Sequence, residues 1–188
     1  MQRKLITPAA ELPVSLGALK DHLRIEHDDE DVSLESYLKA ATKHAEQVLT
    51  YRAFMTQTWQ LILSDFQDEI LLPYPPLQSV NKVTYRGKAG EEHEVDASMY
   101  IVDTDSEPGR IVRKKDKSWP TDLDQHNSVT IEFTAGYASS DDIPENFKIG
   151  LLMLTAHFYE NREPVLVGSM INTLPFTIEA LFERVYTV

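Results

Sequence analysis

The residues best suited to chemistry lie in one acidic stretch, HLRIEHDDED, at positions 22–31. A calcium loop of the EF-hand type needs oxygen ligands at alternate positions, glycine at the sixth and glutamate at the twelfth. Counted from Asp28, the sixth residue is Ser33 and the twelfth is Lys39. Counting from the next residue fails in the same way, so the stretch does not read as a calcium site.

The same stretch has the composition of a helix start. Aspartate is a favoured cap, and carboxylates in a first turn are stabilised by the helix dipole. We therefore expect Asp28 or Asp29 to cap a helix whose first turn contains Glu30 and Asp31. This segment is the candidate acidic surface, made of Asp28, Asp29, Glu30 and Asp31.

A second constellation is HFYENRE, residues 157–163. His157 and Glu160 are three residues apart and would share one helix face. A di-iron bundle uses two Glu-x-x-His motifs, whereas this chain has the two residues in the reverse order and only one copy of the motif. The His-Glu-x-x-His motif of zincins is absent. We expect Phe158 and Tyr159 to pack, with the polar residues making contacts at a helix end.

Other catalytic signatures are missing. The chain has no cysteine, which excludes thiolate metal sites and cysteine nucleophiles. It contains no G-x-S-x-G, phosphate-binding or dinucleotide-binding pattern. We predict no catalytic, cofactor-binding or metal-binding residues and no enzymatic activity. A metal-dependent enzyme that gathers carboxylates from distant segments remains the less favoured alternative.

The net charge limits the possible partners. Eighteen Lys and Arg against 30 Asp and Glu give −12, so phosphates are repelled and specific nucleic acid binding is disfavoured. The basic cluster RIVRKKDK, residues 110–117, is predicted to be a hairpin surface. No apolar run approaches the roughly 18 residues that span a bilayer, and MQRKLITPAA lacks an apolar signal core. We therefore expect no membrane partner, and the absence of cysteine fits an intracellular origin.

The elements follow from periodicity. Ser15 can cap a first helix. The helical spacing of apolar residues in a second helix continues to Thr50. The apolar stripe of the first is Leu16, Leu19 and Leu23; that of the second is Leu34, Leu38, Ala41, Ala45 and Val48. The opposite face of the second helix carries Glu35, Lys39, Lys43 and Glu46, with Glu35 and Lys39 four residues apart.

The period changes between Tyr51 and Tyr137, where short segments rich in β-branched and aromatic residues alternate with turn formers. The predicted strands are TWQLIL, EILL, SVNKVTY, SMYIV, GRIVRK and SVTIEF. In the last of them, Val129, Ile131 and Phe133 should share one face. A small antiparallel sheet or barrel is expected.

Helical patterns return after residue 138. Pro144 suits a first turn, and the stripe that follows is Phe147, Leu151, Leu154 and Phe158. The segment PVLVGSMINT is predicted to be a loop, and Pro175 to start a last short helix. The fold class is α+β: a helical bundle from residues 1–50 and 138–188, with an inserted β-rich section at 51–137.

Several stretches, taken together, resemble a known family. LPVSLGALKDHLRIEHDDEDVSLESYLKAA, AGYASSDDIPENFKIGLLMLTAHFYENREPV and LPFTIEALFERV resemble three parts of the head–tail connector (adaptor) proteins of long-tailed bacteriophages, the gp6-like family. TQTWQLILSDF, ILLPYPPLQSVNKVTYRGKAG, MYIVD and SWP resemble its longer gp8-like branch, which has a β-rich insertion. The similarity covers nearly the whole chain in order.

The resemblance implies a structural virion protein. Such adaptors assemble in the bacterial host cytoplasm into a ring, typically twelve-fold, beneath the portal protein. The ring extends the DNA channel and docks a tail-side stopper or completion protein, while genomic DNA passes without specific binding. Prophages and gene transfer agents carry similar proteins. Another phage tail completion or stopper protein is the main alternative.

The last helix is the candidate for docking on the portal, because its apolar residues lack an obvious partner in the sequence. The candidate residues are Phe176, Leu181, Phe182 and Tyr186. The other possibility is that these side chains close the core of the monomer.

Overall fold

The computed structural model describes residues 1–161 and 176–182, which form an α+β fold with antiparallel sheets, as predicted. The strands are β1 (Gln2–Thr7), β2 (Gln57–Leu63), β3 (Glu69–Leu71), β4 (Leu77–Arg86), β5 (Glu92–Glu94), β6 (Tyr100–Asp103), β7 (Arg110–Arg113) and β8 (Val129–Ala135). The α-helices are α1 (Leu16–Leu23), α2 (Asp31–His44), α3 (Glu145–Glu160) and α4 (Phe176–Phe182). A π-helical segment spans Ala45–Thr50, and 3₁₀ turns span Ala97–Met99 and Ser140–Asp142. No helix within these residues is both long and apolar enough to cross a membrane.

The chain divides into two compact units. The β unit comprises Met1–Ala10 and Met55–Ala138, and the helical unit comprises Glu11–Phe54 and Ser139–Val188. The sequence-based boundaries grouped the first ten residues with the helices, whereas β1 pairs antiparallel with β2. The strand was missed because all its residues are exposed, so no alternation of apolar and polar residues marks it. All six strands predicted between residues 51 and 137 are present.

The larger sheet has five strands in the order β1-β2-β8-β4-β5. Its inner face carries Val129, Ile131 and Phe133 of β8, which are fully buried as predicted. Trp59 and Leu61 of β2 pair with β8 on the same face and are also buried. Pairing in this sheet is antiparallel throughout, and alternate residues along β2 and β8 face the core.

The smaller sheet has three strands in the order β3-β7-β6. Ile70 and Ile111 pair across it and are buried. On the opposite face the Arg110 guanidinium lies between two carboxylates, 2.7 Å from Glu69 and 2.9 Å from Asp103. Each strand of this sheet is short, and these charged pairs join all three of them.

In the helical unit, α2 packs against α3. The Ser15 hydroxyl accepts from the Ala18 N–H at 3.1 Å, which confirms the predicted cap of α1. Leu19, Leu34 and Leu38 form a fully buried cluster between α1 and α2. The α3 stripe is confirmed as well: Phe147, Leu151 and Leu154 are buried and Phe158 is half-buried.

The end of the second helix differs from the prediction. After His44 the chain winds as a π-helix, whose wider turn shifts the faces predicted from α-helical periodicity. Val48, assigned to the apolar stripe, is 55% exposed, and Glu46, assigned to the polar face, is buried. The Glu46 carboxylate accepts from the Phe54 N–H at 2.8 Å, so the buried acid organises the chain that leaves the helix.

Candidate functional site

The acidic stretch is organised around one lysine. Lys20, in the last turn of α1, places its Nζ 2.5 Å from an oxygen of Asp28 and 2.8 Å from an oxygen of Asp31. The lysine side chain is mostly buried, whereas Asp28 is exposed. The two carboxylates therefore tie the α1–α2 connection to the end of α1.

The capping role expected for Asp28 or Asp29 is not observed. The residue at the cap position of α2 is Glu30, which makes no side-chain capping bond. Its carboxylate instead accepts from the hydroxyl of Tyr159 on α3. Asp29 lies 3.8 Å from a ring nitrogen of His27. Asp31 lies in the first turn, as predicted. Asp28 and Glu30 do not cap the helix because their carboxylates accept from Lys20 and Tyr159 instead of from the free N–H groups of the first turn.

The protonation states of this cluster follow from the same contacts. The hydrogen bonds from Lys20 to Asp28 and Asp31 raise the pKa of the lysine above its ordinary value. The hydrogen bond from Lys20 lowers the pKa of Asp28. Both groups are held in their charged forms at neutral pH, which makes them poor proton donors and acceptors. The cluster is suited to joining two helices rather than to acid–base catalysis.

Neither acidic stretch forms a metal centre within residues 1–161 and 176–182, where no three histidine or acidic side chains are placed to hold one. Near the end of α3, the Asn161 amide donates to the His157 carbonyl at 2.8 Å and lies 3.3 Å from its ring. Phe158 contacts His44 edge-on, and Tyr159 contacts Tyr37 in the same way, which confirms the predicted packing. The last two residues of that constellation lie outside the described residues.

The basic cluster at 110–117 carries paired arginines. Arg110 is held by Glu69 and Asp103, and Arg113 lies 2.7 Å from Asp68. The hydrogen bonds from Ser106 and Arg110 lower the pKa of Asp103 to about 2. Because carboxylates of the same chain neutralise their positive charge, these arginines are better suited to stabilising the small sheet than to binding a phosphate backbone.

The candidate docking helix α4 packs on α3 through Phe182. This ring is 2% exposed and lies 6.3 Å from Phe54 and 6.2 Å from Phe147 between ring centroids. Gly150 makes the approach possible, because a Cβ there would lie 2.8 Å from the end of the ring. The Asn146 amide also donates to the Leu181 carbonyl at 2.8 Å. The Phe182 side chain is therefore buried within the helical unit, and docking of α4 on the portal stays a prediction.

The other docking candidates have different positions. Leu181 is half-buried at the end of α4, next to the exposed Ala180. Phe176 is the first residue of α4, and Tyr186 lies outside the described residues, as does the predicted loop at 164–173. Sequence reasoning missed Lys20, Glu46 and Gly150, of which only Gly150 had a visible signal, a glycine within an apolar helical stripe.

A family model described as "Head completion protein" matches residues 14–166. No curated protein matches the chain.

Solved structures of gene transfer agent particles contain similar chains. The neck of the empty particle computed with C6 symmetry holds one at 28% identity and a TM-score of 0.79. The virion of the native particle contains one at 25% identity and a TM-score of 0.79. The neck of the native particle computed with C12 symmetry contains one at 26% identity and a TM-score of 0.78. Each similarity covers 97% of this chain and 93% of the other, so it extends across both units.

Proposed function

This chain belongs to the head completion protein family, and from that premise we propose that it is a head–tail adaptor that assembles into a ring beneath the portal. It is a structural protein of the head–tail junction, in keeping with that family. The observation that carries the proposal is the likeness along 97% of the chain to proteins in gene transfer agent necks. One of those necks was computed with C12 symmetry, which supports a twelve-fold ring.

The acidic composition supports a channel through which DNA passes. A net charge of −12 per chain is multiplied by the number of subunits in a ring. Carboxylates that line the lumen would repel the phosphates of the genome and lower friction during its passage. The pairing of Arg110 and Arg113 with carboxylates of their own chain fits a lumen that does not hold DNA.

The helical unit provides the portal-side contacts in this proposal, as a bundle of the N- and C-terminal helices. Phe182 stabilises the bundle from inside, so portal docking falls to the neighbouring candidates Phe176, Leu181 and Tyr186. A tail-side stopper or completion protein docks on another surface of the same ring.

The test is native mass spectrometry of the purified protein, alone and mixed with the purified portal protein or tail-side protein of the same particle. We expect a closed ring bound to one portal oligomer. A chain that binds only the tail-side protein would be a stopper instead. Failure to form an oligomer with either partner would overturn the ring proposal. In cells, deletion of the gene should yield DNA-filled heads without tails.

A further inference from the structure

The two outer strands of the five-stranded sheet are open. All six residues of β1 and all three of β5 are exposed, and within residues 1–161 and 176–182 both strands have a neighbour on one side only. An open edge presents N–H and C=O groups that can pair with a strand of another chain. Leu5 and Ile6 of β1 are 40% and 39% exposed, so this edge also offers apolar surface.

The outward backbone groups of β5 can be identified. The Val95 N–H donates to the Val83 carbonyl of β4 at 2.9 Å. In an antiparallel ladder, alternate residues direct both backbone groups to the same side. His93 therefore faces β4, as Val95 does, while the backbone groups of Glu92 and Glu94 face away. These two residues form the open edge.

A row of polar side chains crosses the outer face of the sheet from β1 to β5. The strand pairing and the side-chain contacts place these residues in order: Lys4, Gln60, Glu132, Lys82 and then Glu92 with Glu94. The charge along the row is positive, neutral, negative, positive and negative. Neighbouring charges across the strands therefore match within the sheet.

The two ends of this row are complementary. Among the described residues, Lys4 has no ion-pair partner, so β1 ends the row with a free positive charge. At the other end, Glu92 and Glu94 share Lys82 at 4.0 and 3.8 Å, which leaves negative charge in excess. A copy of β1 placed beside β5 would continue the alternation, whereas β1 beside β1, or β5 beside β5, would oppose like charges.

We propose that β1 of one copy pairs with β5 of the next, so that the five-stranded sheets join around the ring. The inference rests on the ring of the proposed function. Four successive antiparallel pairings make β1 and β5 run in the same direction within one chain. Rotation about a ring axis preserves strand direction along that axis, so the new pair is parallel. A closed ring requires a head-to-tail interface between two different surfaces of the subunit, and the β1 and β5 edges are two such surfaces.

The first test is a charge cycle with Lys4→Glu, Glu94→Lys and the double variant. Each single variant should weaken association of the subunits by roughly twofold to fivefold per interface, as expected for one exposed ion pair. The double variant should recover ring formation, because the pair is restored with its signs exchanged. Ring abundance is measured by native mass spectrometry on variants whose melting temperatures match the wild type.

The matched control is Lys115→Glu, which makes the same charge change on an exposed loop of the β unit. It should leave ring abundance unchanged. An equal effect of Lys4→Glu and Lys115→Glu, with no recovery in the double variant, would refute the edge contact.

The second test uses the absence of cysteine from the chain. A variant with Lys4→Cys and Glu94→Cys should form, on mild oxidation with the portal present, a covalent ladder that extends to the full ring. Each single variant should stop at dimers at most. A wild-type ring with neither the ladder nor the charge effect overturns this inference alone. The absence of any wild-type ring overturns the proposed function, and the edge pairing with it.

Discussion

Replacement of Phe182 by alanine tests whether the end of the chain belongs to the core. Phe182 is 2% exposed, and its ring packs against Phe54, Phe147 and Gly150. Burial of a phenylalanine contributes about 1.5 to 3 kcal/mol by transfer alone, and the remaining cavity raises the cost of Phe→Ala to about 3 to 5 kcal/mol. Because α4 has only seven residues and can detach to relieve the cavity, we expect about 3 kcal/mol.

Urea unfolding followed by circular dichroism measures this change. With a slope of about 1 to 3 kcal/mol per molar urea, the midpoint of the helical unit should fall by about 1 to 3 M. The matched control is Leu181→Ala on the same helix, where the side chain is half-buried and about 1 kcal/mol or less is expected. If both variants shift the midpoint equally, Phe182 is not a core residue, and its assignment to portal docking becomes open again.

Three further predictions follow from individual contacts. Gly150→Ala should destabilise the protein by about 1 kcal/mol, because the added methyl group presses on the Phe182 ring. The control Gly17→Ala, where a Cβ would have no neighbouring atom nearer than 3.9 Å, should stabilise the protein by up to about 1 kcal/mol. Melting temperatures of the two variants and the wild type measure the difference. Glu46→Leu should cost about 1 to 3 kcal/mol because the Phe54 N–H loses its buried acceptor, while Glu46→Gln keeps an acceptor and should cost less. The pKa of Asp103 is lowered to about 2, so its contribution is full above pH 4 and is lost as the pH falls toward 2; the wild-type melting temperature should drop more over that range than that of Asp103→Asn, and parallel curves would contradict the assignment.

The sequence predicted well those elements that bury one regular face. The alternation in β8 placed Val129, Ile131 and Phe133 on the core side, and the stripe in α3 placed Leu151 and Leu154 there. Both patterns arise because a repeating backbone returns each face to the core at a fixed interval. The class of the fold and the six predicted strands, β2 to β4 and β6 to β8, followed from such patterns.

The elements that were missed bury no face at all. β1 and β5 are the two edges of the five-stranded sheet and are exposed along their length, so hydrophobicity does not mark them. The prediction that Val48 is buried and Glu46 exposed was wrong for another reason, because a π-helical turn breaks the α-helical period. Nothing in the local sequence distinguishes that turn from a regular helix.

The candidate site showed the same limit. Asp28 was identified within an acidic run, but its partner Lys20 lies eight residues earlier, on α1. The sequence therefore located the cluster and missed the contact that organises it. The placement of Phe182 depended in turn on Gly150, a packing relationship between distant positions that no single-sequence pattern encodes.

The contact between Phe54 and Phe182 also determines when the helical unit can fold during synthesis. At about 5 to 20 residues per second, a ribosome needs on the order of ten seconds to extend the chain from one phenylalanine to the other. Until then, Phe54 and Phe147 can pack on each other but lack the contact with Phe182, and a partly made chain exposes that apolar surface. A chain that stops before α4 therefore lacks the ring that packs on Phe54 and Phe147, and we expect it to be cleaved by proteases faster than the full chain.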